Sequence, residues 1–191
     1  MTVRLLLVSG SLRAASTNTA VLRAAVEVAP AGTTAVLFDG VGRLPHYNPD
    51  LDVDPLDPAV VELRDAVGQA DALLVSTPEY AGALPGSFKN VLDWLVGASG
   101  MAGKAVAWVN TSSSTSGAAG AHASLRTVLS WIDVDVVEAA CAHIPVPRGA
   151  LGADGRITDP AIRTPLTAAV AALVDHVTTA RAEAAAAGSA R

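Results

Sequence analysis

The residues with the clearest chemical potential lie close to the N-terminus: Ser11, Arg13, Ser16, Thr17 and Asn18. They follow an apolar run, Val3 with Leu5 to Val8, that breaks at Ser9-Gly10-Ser11, and they precede a helical pattern starting at about Thr19. A strand, a small polar loop and a helix in that order turn backbone N–H groups and a positive helix terminus toward one point, which suits an anion. Hydroxyls and a carboxamide add side-chain donors and Arg13 adds a full charge, so a phosphate is the natural occupant. The same residue types also make an ordinary capped strand-to-helix turn. On this stretch alone both readings stand.

Two further loops follow apolar runs. The second, Thr77 to Gly86, holds Pro78, Glu79, Tyr80, Ala81, Gly82 and Pro85. Its prolines and glycines fix its shape, and Tyr80 is its large aromatic residue. The third, Asn110 to Gly117, holds Thr111, Ser112 and Ser113 and is small and polar, so its backbone can approach a ligand closely.

The elements that must carry these loops alternate along the chain. Strands are expected at Val3 to Val8, Ala35 to Phe38, Ala72 to Val75, Ala105 to Val109, and Val134 to Val137 running on into Ala139 to Ala142. Helices are expected from Thr19, over Ala59 to Gln69, from an N-cap at Ser87 through Val96, over Ala118 to Trp131, and from Ile162 to about Ala185. Such alternation predicts an α/β, flavodoxin-like three-layer sandwich, with a five-stranded parallel sheet of order 2-1-3-4-5 and helices on both faces. In that order the three loops share one sheet edge, where ligands of open α/β sheets sit. Phosphate at one end and a flat polar ring between two backbone loops describe a mononucleotide. FMN fits better than a dinucleotide, because G-x-G-x-x-G is absent from the first turn.

Composition narrows the classes. The 191 residues suit one domain, with 51% hydrophobic and 16% charged residues; the expected domain spans 1–191, with 183–191 fraying. A net charge of −5 without a Lys/Arg cluster argues against nucleic-acid binding. The lone Cys141 permits no intrachain disulfide and suits a reducing compartment. The N-terminal apolar run is too short for a membrane span and lacks signal-peptide features, so a cytoplasmic protein is expected, with no membrane partner.

Several motifs fail on inspection. Asp50, Asp52 and Asp54 alternate like a calcium loop, but the positions needing glycine and glutamate hold Pro55 and Val61. Gly103-Lys104 lacks the remaining residues of a P-loop and precedes a strand. Ser112 to Ser116 form no nucleophile elbow, and His46, His122, His143 and His176 have no metal-ligand spacing, which leaves them surface or structural roles. Glu79 is either a general acid or a cap for nearby N–H groups. Tyr80 packs on a ligand or plugs the core or an interface. Trp108 and Trp131 are expected in the core, Trp94 in the core or at a subunit contact. Lys89 and Asn90 are expected to serve the local fold, and Cys141 to be a buried small hydrophobe.

The chain resembles the NAD(P)H-dependent FMN reductases, a flavodoxin-like family that includes chromate and quinone reductases. The resemblance rests on G-S-L-R-A-A-S-T-N at Gly10 to Asn18, L-P-H-Y-N-P-D-L at Leu44 to Leu51, T-P-E-Y at Thr77 to Tyr80, P-G-S-F-K-N-V-L-D-W at Pro85 to Trp94, and G-K at Gly103-Lys104. It implies FMN as cofactor, its phosphate held at Ser11, Arg13, Ser16, Thr17 and Asn18 beside Ser9. The ring would be held by Pro78, Glu79, Tyr80, Ala81 and Gly82 and by Thr111, Ser112, Ser113 and Gly117. It implies NADPH or NADH as co-substrate and a small-molecule electron acceptor: a quinone, azo compound, metal ion or flavin. No acid–base pair is needed, so no catalytic side chain is expected. A homodimer or homotetramer is also implied; the sequence offers Trp94, Leu95 and Val96 as a possible contact patch. The chain departs from the family at Ala81, where asparagine is usual, and in the third loop, where an arginine is missing; Arg126 aligns with a later one. The alternative is a flavodoxin-type electron carrier without its own nicotinamide activity. Low aromatic content, 4%, favours an open flavin and the enzyme.

Overall fold

The computed structural model describes residues 2–97 and 100–189. Strand β1 (Val3–Ser9) leads into helix α1 (Thr17–Glu27), followed by β2 (Thr33–Phe38), α2 (Pro58–Gln69), β3 (Ala72–Ser76) and α3 (Gly86–Val96). Then come β4 (Ala105–Asn110), α4 (Ala119–Ile132), β5 (Asp135–Val136), β6 (Ala142–His143) and α5 (Pro160–Ser189). The strands pair in parallel in the order β2-β1-β3-β4-β5, with β6 also on β4. The two-residue period of the strands divides the core. Leu5 and Leu7 of β1 pack with α1 and α5, whereas Leu6 and Val8 pack with α2, α3 and α4. The sheet is thus covered on both faces, which is why its central strands are continuously apolar. Among the described residues no helix is long and apolar enough to cross a membrane.

The structure differs from the sequence reading at identifiable places. The fifth strand is two short pieces rather than one run, because a 3-10 turn at Glu138–Ala140 interrupts it. That turn sends Ala140 into the core and leaves Glu138 outside, paired with Arg126. Helix α3 starts at Gly86, with Pro85 rather than Ser87 at the N-cap; the Pro85 carbonyl accepts from Phe88 N (3.0 Å) and Lys89 N (2.9 Å). Helix α1 starts at Thr17, so Thr17 and Asn18 belong to its first turn. Trp131 is 84% exposed, off the buried stripe of Ala121, Leu125, Leu129 and Ile132. Trp94 and Leu95 are buried, which leaves only the 59%-exposed Val96 of the expected contact patch. Helix α5 continues through Ser189, past the expected end; residues 190 and 191 lie outside the described residues.

Trp94 and Asn90, one helical turn apart on α3, clamp the irregular segment after β2. Trp94 Nε1 and Asn90 Nδ2 each donate to the Pro45 carbonyl at 2.9 Å, and Asn90 Oδ1 accepts from Tyr47 N at 2.7 Å. Tyr47 stands edge-on to the Trp94 ring at 5.0 Å. Arg64 locks the same segment from α2 by donating to the Trp94 carbonyl and to Asp52.

Candidate functional site

The first loop leaves β1 at Ser9. Ser9 Oγ lies 2.8 Å from Thr19 Oγ1 and accepts from Ser11 N (3.2 Å), so this side chain braces the loop from below. Gly10 donates to the Ser76 carbonyl at 2.8 Å, and a Cβ there would sit 2.7 Å from Thr77 Cβ. Only glycine lets the first and second loops lie this close. Ser16 caps α1: its Oγ accepts from Thr19 N (3.3 Å) and its carbonyl from Ala20 N (2.9 Å). The capped turn is therefore present, and it leaves the N–H groups of Thr17 and Asn18 without an acceptor among the described residues. Arg13 is exposed and pairs with no carboxylate among the described residues.

Asn18 joins the three loops. It is buried, and its Oδ1 accepts from Ser76 Oγ at 2.9 Å and Thr111 Oγ1 at 3.2 Å. Thr17 Oγ1 lies 3.4 Å from the same Thr111 hydroxyl. Ser76, the polar end of the buried β3 run, was missed in the sequence; its position at a strand's C-terminal end was the available signal.

In the second loop Tyr80 and Ala83 exchange both backbone hydrogen bonds, at 3.0 and 3.1 Å, around Ala81 (φ 51°) and Gly82 (φ 76°). Two left-handed residues in a two-residue hairpin define a type I′ turn. Alanine is poorly suited to the first of those positions, by about 1–2 kcal/mol. Ala81→Gly is expected to raise stability by about 1 kcal/mol, read as a higher urea midpoint at unchanged slope; an unchanged midpoint would refute the strain. Glu79 reaches out of this loop, and its Oε2 accepts from Ala121 N at 3.0 Å. The N-cap residue of α4, Ala118, has no side chain able to do so. Of the two sequence readings for Glu79, the structure shows the cap.

The third loop is closed on itself by Asn110, whose Oδ1 accepts from Ser112 N (3.0 Å) and whose Nδ2 donates to the Gly117 carbonyl (2.6 Å). Ser112, Ser114 and Ser116 hydroxyls form a chain at 2.8 and 3.1 Å. From outside, His143 Nε2 lies 2.8 Å from the Ser112 carbonyl. Among the described residues the N–H groups of Ser113 and Ser116 have no acceptor.

These loops enclose an open cleft of about 440 Å³. Ser11, Arg13, Ser16, Thr17 and Asn18 line one end; Pro78, Glu79 and Tyr80 line one wall, and Thr111, Ser112 and Ser113 the other. Ser9, Ala81, Gly82 and Gly117 do not line it and instead shape the loops that do. Among the described residues Arg13 is the only basic one lining it, while Glu79, the only acidic one, is engaged with α4. The cleft therefore pairs a net positive end, made of a helix N-terminus and a guanidinium, with one wall, the third loop, that offers the Ser113 and Ser116 N–H groups. Those features fit a phosphorylated, flat, polar cofactor such as FMN, and the volume suits one such ligand.

Behind the third loop, His122 on α4 is buried at both ring nitrogens without a hydrogen-bond partner among the described residues, and its ring lies 5.8 Å from that of Trp108. Burial, then His143 and Arg126, push its pKa below the ordinary 6.5, against the pull of Glu79. The unfolded chain thus binds this proton more readily. The stability contributed by neutral His122 is complete above pH 6.5 and is lost as the pH falls toward its folded-state value. His122→Leu is expected to flatten the decline in denaturation midpoint between about pH 6.5 and pH 5; an unchanged slope would refute this.

The parallel sheet, with three loops converging at its carboxyl edge, defines a flavodoxin-like α/β protein with a mononucleotide-type cleft. The chain belongs to the NADPH-dependent FMN reductase family, whose model matches residues 3–146, and is an oxidoreductase of that type. It is 35% identical over 159 residues to an NAD(P)H-dependent FMN reductase of Pseudomonas aeruginosa, covering 82% of this chain and 85% of the relative. It is 33% identical over 160 residues to a 2-hydroxy-1,4-benzoquinone reductase of Burkholderia, covering 82% and 86% respectively. Among solved structures, a flavoenzyme NAD(P)H:(acceptor) oxidoreductase of Paracoccus denitrificans superposes with a TM-score of 0.81 at 32% identity, over 93% of this chain and 98% of that one.

Proposed function

We propose that the cleft holds FMN, with its phosphate on the free N–H groups of Thr17 and Asn18 and against Arg13. Its ring lies between Pro78–Tyr80 and Ser112–Ser113. When bound, the flavin supplies two-electron chemistry, accepting hydride from NADPH or NADH and returning the electrons to a quinone-type acceptor. The chain's residues bind and orient the cofactor, present backbone donors to it and leave one side open to exchanging substrates. The observation that carries this reading is the pair of amides at the start of α1 that, among the described residues, find no acceptor, beside an arginine with no carboxylate partner there. Tyr80, 47% exposed at the rim, leaves the wall accessible, which supports substrate exchange over a shielded electron carrier. The relatives' quinone reductase names support a quinone as acceptor. One domain over 1–191, a homodimer or homotetramer, and a cytoplasmic location complete the proposal.

The test is steady-state oxidation of NADPH and of NADH by the FMN-loaded protein with 1,4-benzoquinone. One hydroquinone formed per nicotinamide oxidised is expected. Tight FMN binding without turnover with either nucleotide would overturn the enzyme in favour of the carrier.

A further inference from the structure

We propose that His143 is a positioning residue that aims the Ser113 N–H into the cleft, where it stabilises the reduced cofactor; this rests on the FMN reading above. A peptide unit is planar and trans, so the carbonyl of one residue and the N–H of the next point in opposite directions. The Ser112 carbonyl faces His143 Nε2 at 2.8 Å. A carbonyl only accepts, so Nε2 carries the proton and donates. Drawing the carbonyl outward turns the Ser113 N–H inward, and Ser113 lines the cleft with an N–H that has no acceptor among the described residues.

The rest of the local structure holds this peptide from the other side. Asn110 Oδ1 accepts from Ser112 N at 3.0 Å, fixing the preceding unit. His143 itself is held by the sheet: it pairs with Asn110 in β6–β4 register, and the next residue, Ile144, donates to the Asn110 carbonyl at 2.8 Å. Its ring also lies against the far end of the loop, with Cε1 3.6 Å from where a Gly117 Cβ would stand. The imidazole is therefore braced between the two ends of the third loop. A fixed donor aimed at the ring is worth most where negative charge develops, and reduction places charge on the flavin. Removing the brace therefore weakens binding of reduced FMN more than that of oxidised FMN.

The experiment compares wild type, His143→Ala and His143→Gln by the FMN dissociation constant and the midpoint potential of the bound cofactor. Wild type is also followed by the ¹H–¹⁵N signal of the Ser113 amide during FMN titration. In H143A the ratio of reduced to oxidised affinity is expected to fall about tenfold, a potential about 30 mV more negative for a two-electron couple. H143Q, whose side-chain amide can donate from a similar place, restores most of the shift, and the Ser113 amide moves downfield as FMN binds. An H143A protein that binds FMN at the wild-type potential overturns the proposal, as does a Ser113 amide unmoved at saturation. Should H143A fail to fold, H143Q at a wild-type potential together with the amide shift still supports it, and H143Q displaced as far as a non-donor His143→Phe variant refutes it. Wild type that takes up no FMN defeats the functional reading itself, a distinguishable result.

Discussion

Arg13→Ala is expected to weaken FMN binding by about 10- to 100-fold while leaving riboflavin affinity within about twofold, as read by quenching of flavin fluorescence. Among the described residues Arg13 is the only base lining the cleft and has no competing carboxylate, so its charge is available to a ligand. A charge-assisted contact to a phosphate is worth roughly 1.5–3 kcal/mol, which sets the range. Riboflavin lacks the phosphate and cannot register the loss. The difference between the two ligands should shrink as salt is raised, because the site is open and screened. Equal losses for both would place Arg13 at the ring end or in the fold. Asn18 makes a poorer probe: it is buried and holds Ser76 and Thr111 together, so replacing it disturbs all three loops.

Gly120→Ala is expected to destabilise the protein by about 2–3 kcal/mol and to reduce FMN affinity at the same time. A Cβ at this position overlaps the Gly82 carbonyl oxygen, lies 2.9 Å from the Gly82 carbonyl carbon and is 3.0 Å from Glu79 Oε2. The obstacle is backbone in a tight turn, so a rotamer change gives no relief. The α4 N-terminus and the second loop must separate, and the Glu79 to Ala121 bond stretches with them. Thermal or urea denaturation reads the first effect and a flavin titration the second. A G120A protein with wild-type stability would show that the close approach of loop and helix is dispensable.

Much of the architecture is legible in the sequence because the strands are short apolar runs broken by Gly, Pro and hydroxyl residues, and run length with those breakers, beside the helical spacing of the longer segments, separates them from the helices. The three loops stand out for the same reason. What periodicity does not carry is the partner of a polar side chain. Glu79 and Ala121 are 42 positions apart, and Asn18 and Thr111 are 93 apart; only the fold brings them together. Trp131 illustrates the opposite failure. Its size predicts burial, but its phase on α4 is off the Ala121–Leu125–Leu129 stripe, and phase decides. The break between β5 and β6 had no signal in the apolar pattern, because the turn arises from burying Ala140 and freeing Glu138 for Arg126. His143 has no metal-ligand spacing, which in the sequence leaves it a surface or structural role. Its contact with Ser112, 31 positions away, arises from the pairing of β6 with the end of β4, which periodicity does not carry.

The most direct test of the central claim is a titration of the wild-type chain with FMN, followed by flavin fluorescence and absorbance. The assignment predicts saturable quenching, one FMN per chain, at micromolar FMN. No quenching at FMN concentrations of about 10 μM would contradict the assignment of this cleft to the cofactor.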